Sequence, residues 1–67
     1  MGVNYDKLFN ILKERKIKEK EFQIMAGFSG NIMTRMRRNQ YVSLESVQSI
    51  CQVLDCKVED VLDFIQE

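Results

Sequence analysis

Between Ser29 and Gln40 the chain reads SGNIMTRMRRNQ, and eight of these twelve side chains can form hydrogen bonds. Arginine carries a planar fork of donors that fits a phosphate or the O6/N7 edge of guanine, and asparagine can bond adenine at N6 and N7. Asn31 and Arg35 are four residues apart, so on a helix they share a face with Gly30, Thr34 and Arg38. Met33 and Met36 fall on the opposite face and would pin that helix to a core. This pattern suits recognition rather than bond making. There is no His, hence neither the commonest general base nor the commonest metal ligand. Two Cys without His cannot complete a tetrahedral zinc site within one chain. With no nucleophile–base pair visible, no enzyme, metal or cofactor is expected.

The elements that must position these residues are short. Sixty-seven residues make one small domain over 1–67, with globular proportions of apolar and charged residues. No Pro occurs, and apolar residues recur at helical spacing throughout. Asn4 is the expected N-cap of a first helix from about Tyr5 to Arg15, with Leu8, Ile11 and Leu12 on one face. A second helix is predicted over Lys18–Ala26, ended by Gly27 as a left-handed cap. Ser29 caps a third helix running to Arg38 or Asn39. Ser43 caps a fourth, with a stripe of Leu44, Val47, Ile50, Cys51 and Leu54. A fifth is predicted over Val58–Ile65; Lys57 is a poor N-cap, so its start should fray. Strands are not expected, because alternation is absent. The competing fold is a longer helical hairpin that needs a partner. No apolar run approaches the roughly 20 residues needed to cross a bilayer, and the N-terminus lacks signal-peptide features. A cytoplasmic protein with reduced thiols is expected.

A two-turn helix that ends at Gly27, with a capped helix restarting at Ser29, is the spacing of a helix-turn-helix. Phe22, Ala26, Phe28, Met33 and Met36 would fill the wedge between the two helices. The segments EFQIMAGFS, MTRMR, VSLESVQSIC and LDCKVEDVL, in this order, resemble the Cro/repressor-like (XRE-type) helix-turn-helix family, and in particular its small members. The resemblance spans about Tyr5 to Ile65. It implies an all-α, compact five-helix, lambda-repressor-like domain that binds double-stranded DNA and regulates transcription in a bacterium or phage. It further implies that Lys18 and Glu19 approach the DNA backbone, and that Ser29 meets a phosphate. Gly30, Asn31 and Arg35 would face bases, Thr34 would lie on the same DNA-binding face, Ile32 would touch either a thymine methyl or a protein partner, and Arg37, Arg38, Asn39 and Gln40 would reach phosphates. Three departures from the family pattern stand out. Gln23 replaces a small residue at a tight crossing, and Ile24 and Ile32 are apolar where polar residues are usual. Leu12 and Arg37 stand where many relatives pair an Arg with a Glu.

The formal net charge is zero, which by itself speaks against a nucleic-acid protein. The distribution reads differently. Residues 1–40 hold nine basic and four acidic side chains, and residues 41–67 hold one and six. The chain is dipolar, with its basic half around the proposed recognition helix. Val61, Phe64 and Ile65 form an apolar group near the C-terminus and are the expected homodimer interface. Such a dimer would place two recognition helices one DNA turn, about 34 Å, apart. No small-molecule ligand or membrane partner is indicated. The alternative is a protein-interaction module or antitoxin-like partner that keeps the fold with weak or no DNA binding. Ile24, Ile32 and Gly30 motivate it.

Overall fold

Five helices and one small sheet are seen in a computed structural model that describes residues 2–66; Met1 and Glu67, the ends of the expected 1–67 domain, lie outside the described residues. The elements are β1 (Gly2–Asn4), α1 (Asp6–Glu14), α2 (Glu19–Ala26), α3 (Gly30–Arg37), α4 (Leu44–Leu54), α5 (Val58–Val61) and β2 (Asp63–Ile65). The first four helices form where the apolar periodicity placed them. Tyr5, Leu8, Leu12, Phe22, Met33, Met36, Ile50, Leu54 and Val61 are essentially fully buried and meet in one core. The radius of gyration is 11.0 Å. A folded chain of this length should have about 11 Å by size scaling, so this core closes without a partner, contrary to the long-hairpin alternative.

Helix ends follow local chemistry. Ser29 Oγ accepts from the Ile32 amide at 3.3 Å, and Ser43 Oγ from the Ser46 amide at 3.1 Å. These side chains satisfy amides that have no partner within the helix. Gly27 ends α2 with φ of 71°. Asn4 acts one residue further out than expected. It lies in β1, and its Oδ1 accepts from the Asp6 amide at 2.8 Å.

The C-terminal region departs most from the sequence reading. The helix expected over 58–65 is a single turn, Val58–Val61, and the chain then extends as β2. Leu62 has extended backbone, φ −149° and ψ 159°. β2 pairs antiparallel with β1 in the register Gly2 to Ile65, Val3 to Phe64 and Asn4 to Asp63. Three-residue strands are too short to show alternation, and Val58, Val61, Leu62 and Ile65 fit a helical stripe equally well. The extended path pairs Val3 with Phe64, and both Val3 and Leu62 are buried in the core. Lys7 stitches the region to α1: its ammonium lies 3.0 Å from Asp63 Oδ1 and donates to the Glu59 carbonyl at 2.9 Å. The start of α5 is held, not frayed, because Asp60 Oδ2 accepts from the Lys57 amide at 3.0 Å. The cap is the carboxylate three residues on, not Lys57 itself.

Candidate nucleic-acid interface

α2 and α3 meet around Phe22 and Phe28, whose rings make an edge-to-face contact at 5.8 Å between centroids and 82° between planes. Both phenylalanines, Met33 and Met36 are buried, and Ala26 is half-buried against them. This wedge is the one expected from the spacing. It fixes which way α3 faces: with Met33 and Met36 at zero exposure, the opposite face must be in solvent.

That outer face carries Gly30, Asn31, Arg35 and Arg38, all exposed. An added Cβ at Gly30 would meet nothing within 4 Å, so the position is open space rather than a close approach. No described residue forms an ion pair with Arg35 or Arg38. Ser29, at the helix N-cap, and Lys18, at the start of α2, are both exposed. Thr34 and Ile32 are less available than the sequence suggested. Thr34 Oγ1 donates to the Gly30 carbonyl of its own helix at 3.0 Å, and Ile32 is half-buried against the core. Ile24, by contrast, is 72% exposed on α2.

The side chains of Arg37 and Asn39 and the backbone carbonyl of Gln40 make intramolecular bonds. Arg37 Nε lies 2.9 Å from Glu19 Oε1, tying the last turn of α3 to the first turn of α2. An Arg–Glu link to α3 therefore exists here, although its partner sits on α2 and not on α1. Asn39 has a left-handed backbone, φ 55°, and its Oδ1 accepts from the Tyr5 amide at 3.1 Å. The Tyr5 hydroxyl in turn donates to the Gln40 carbonyl at 2.7 Å. Burial pushes the Tyr5 hydroxyl above its ordinary pKa, so it remains a donor at neutral pH. This Tyr5–Asn39–Gln40 clamp holds the exit of α3 against the entry of α1. Sequence reasoning assigned Asn39 and Gln40 to phosphates and did not see the clamp. The available signal was the tendency of Asn to adopt the left-handed conformation just past a helix end.

Val61 requires a correction. It was expected at a dimer interface, but it is fully buried in this chain's own core and has no surface to offer. Phe64 and Ile65 are 69% and 46% exposed, on a strand and not on a helix. Both thiols are half-buried, and burial raises the pKa of Cys51 and of Cys56. Among the described residues no cluster of His, Cys, Asp or Glu could hold a metal ion, and no helix is long and apolar enough to cross a membrane.

The candidate interface is thus a helix pinned by methionines, with a polar outer face flanked by basic residues. Residues 7–67 match the family model of the Cro/C1-type helix-turn-helix DNA-binding domain. The fold is similar to the crystal structure of the transcriptional regulator VanUg, with a TM-score of 0.93 and 30% identity, over 98% of this chain and 88% of that one. Among curated proteins, none matches. The matched family is one of DNA-binding domains and not of enzymes. Nearly the whole chain falls within the family model, and the chain belongs to the Cro/C1-type helix-turn-helix DNA-binding family.

Proposed function

We propose that the chain is a sequence-specific transcriptional repressor, acting in the cytoplasm, that reads the major groove of duplex DNA with α3. The observation that carries this reading is the exposed face of Asn31, Arg35 and Arg38 on a helix whose rotation is set by buried Met33 and Met36. Asn31 bonds an adenine edge and Arg35 a guanine edge. Lys18, Ser29 and Arg38 bind phosphates and set register without reading sequence. Occupancy of a promoter excludes polymerase, and two copies bind a palindromic site about its two-fold axis. Similarity to a transcriptional regulator supports the role.

Selection from a random duplex library tests the reading. Enrichment of a palindrome with guanine and adenine at fixed positions in each half is expected. Recovery of unenriched sequence would sink it. A second reading, a protein-interaction module, draws on the exposure of Ile24 and Met25 on α2. It requires that no duplex be shifted in a gel even at low salt.

A further inference from the structure

We propose that Cys51 and Cys56 close a reversible disulfide across the turn that ends α4, a modification site through which low-molecular-weight disulfides stabilise the C-terminal region. DNA binding plays no part in it. Both thiols are free in the structure. They occupy the two matched positions of one backbone motif. Asp55 has a left-handed backbone, φ 51°, and the Cys56 amide donates to the Cys51 carbonyl at 3.1 Å. A helix end closed in this way brings a residue of the last turn and the second residue past the end into side-chain contact. The same turn ends α1. There Lys16 is left-handed, the Ile17 amide donates to the Leu12 carbonyl at 2.8 Å, and both side chains pack in or against the core. At α4 the two positions hold the chain's two cysteines.

The spacing suits the bond. The 3.1 Å contact, with one backbone bond on the donor side and two on the acceptor side, holds the two Cα atoms within about 7 Å. Disulfides span about 4.4–6.8 Å between Cα atoms. The thiols also share their surroundings. Both are half-buried against the core, and the Asp60 carboxylate disfavours the thiolate of each. Of the two, Cys56 alone feels the Arg15 guanidinium, which favours its thiolate. Arg15 is anchored at this helix end, where Nη1 donates to the Leu54 carbonyl at 2.8 Å.

Cys56 is therefore the attacking group. Its thiol gives a proton to water, and the thiolate attacks one sulfur of the small disulfide, expelling a thiolate and leaving a mixed disulfide. Cys51 then loses its proton, attacks Cys56 Sγ and expels the second thiolate. The two protein thiols lose two protons and two electrons, and the small disulfide takes them up as two thiols. A protein disulfide is strongly oxidising when its reduced form is stabilised as thiolate. Burial acts the other way on both cysteines, so nothing holds this pair open as thiolates. Closure fixes the Asp55 turn and the entry to α5, the single helical turn that leads into β2. In a reducing compartment such a bond is transient and follows the thiol–disulfide balance.

Equilibration of the full chain with mixtures of glutathione and glutathione disulfide, followed by acid quenching, alkylation and mass spectrometry, tests this. The parent is expected to lose two hydrogens, as one bond within the chain, and dithiothreitol should restore them. The ratio of closed to open chain at a given glutathione mixture should be about tenfold or more higher in buffer than in urea, because the folded turn holds the two sulfurs together. By the same linkage the closed chain should unfold at higher urea concentration than the open one. Cys56→Ser and Cys51→Ser should each stop at one bound glutathione with unchanged circular dichroism; Cys51→Ala reads the same if serine is not accepted at that half-buried position. A parent that takes up two glutathiones, that links to a second chain instead of closing, or that closes no more readily in buffer than in urea overturns the proposal.

Discussion

Arg35 and Arg37 lie two positions apart on α3 and have different fates. Arg35 is exposed on the outer face, whereas Arg37 is bound to Glu19 on α2. Arg35→Ala is therefore expected to cost about 1–3 kcal/mol at one base pair and to relax preference there, as measured by competition against single-base operator variants. Arg38→Ala should weaken binding to every duplex and lower the slope of log K against log salt by about one for each bound copy. Arg37→Ala should do neither, since an exposed ion pair is worth only about 0.2–1 kcal/mol. Asn39 separates contact from positioning. If it serves the Tyr5 clamp, Asn39→Gly keeps the left-handed backbone, loses the bond to the Tyr5 amide and reduces operator affinity with the salt slope unchanged. A slope lowered by about one would instead make Asn39 a phosphate contact.

Among the elements, the turn between α2 and α3 is the most local in origin. Gly27 has φ of 71° and open space around its Cα, so Gly27→Ala meets no clash and suffers only from the backbone conformation. A loss of roughly 1–2 kcal/mol is expected, read by urea denaturation. This turn, the Ser29 and Ser43 caps and the inward Met33 and Met36 were all legible, because each depends on neighbours within about four residues. α5 was not. Its cap is Asp60, and its termination after Val61 depends on β1, more than fifty residues away in the chain. Asp60→Ala should cost about 0.5–1 kcal/mol through the lost cap, measured in the same denaturation assay.

At the scale of the whole molecule, charge and burial govern the response to conditions. The basic half carries the proposed recognition face and the acidic half carries α4, α5 and β2, a polarity that would orient the protein on a phosphate backbone even at zero net charge. The two thiols and the Tyr5 hydroxyl have folded pKa values raised by burial. For such acids the protonated form is the one the fold favours. Their contribution is complete below the unfolded pKa, ordinarily 9.0 for the thiols and 10.0 for tyrosine, and is lost as pH rises through the folded values. Thermal stability should therefore fall above pH 9.0 and hold steady just below it, as followed by melting across that range. Alkylation of Cys51 and Cys56 at pH 8 should be slower than that of free cysteine and should reach the free rate in urea, because fewer thiolates exist in the fold.

Helix positions, the turn, two serine caps and the polar face of α3 follow from residues close together in the chain. Helical periodicity and capping are short-range effects, so one sequence contains the information. The bonds of the Asn39 side chain, the Gln40 carbonyl and the Arg37 side chain, and the burial of Val61, came from elsewhere. Each depends on a partner or packing site supplied by a distant segment: Tyr5 for the first two, Glu19 for the third and the closed core for the last. Whether a polar side chain is free to meet DNA is settled by what the folded chain has already bonded to it, and that pairing exists only once the chain has closed on itself.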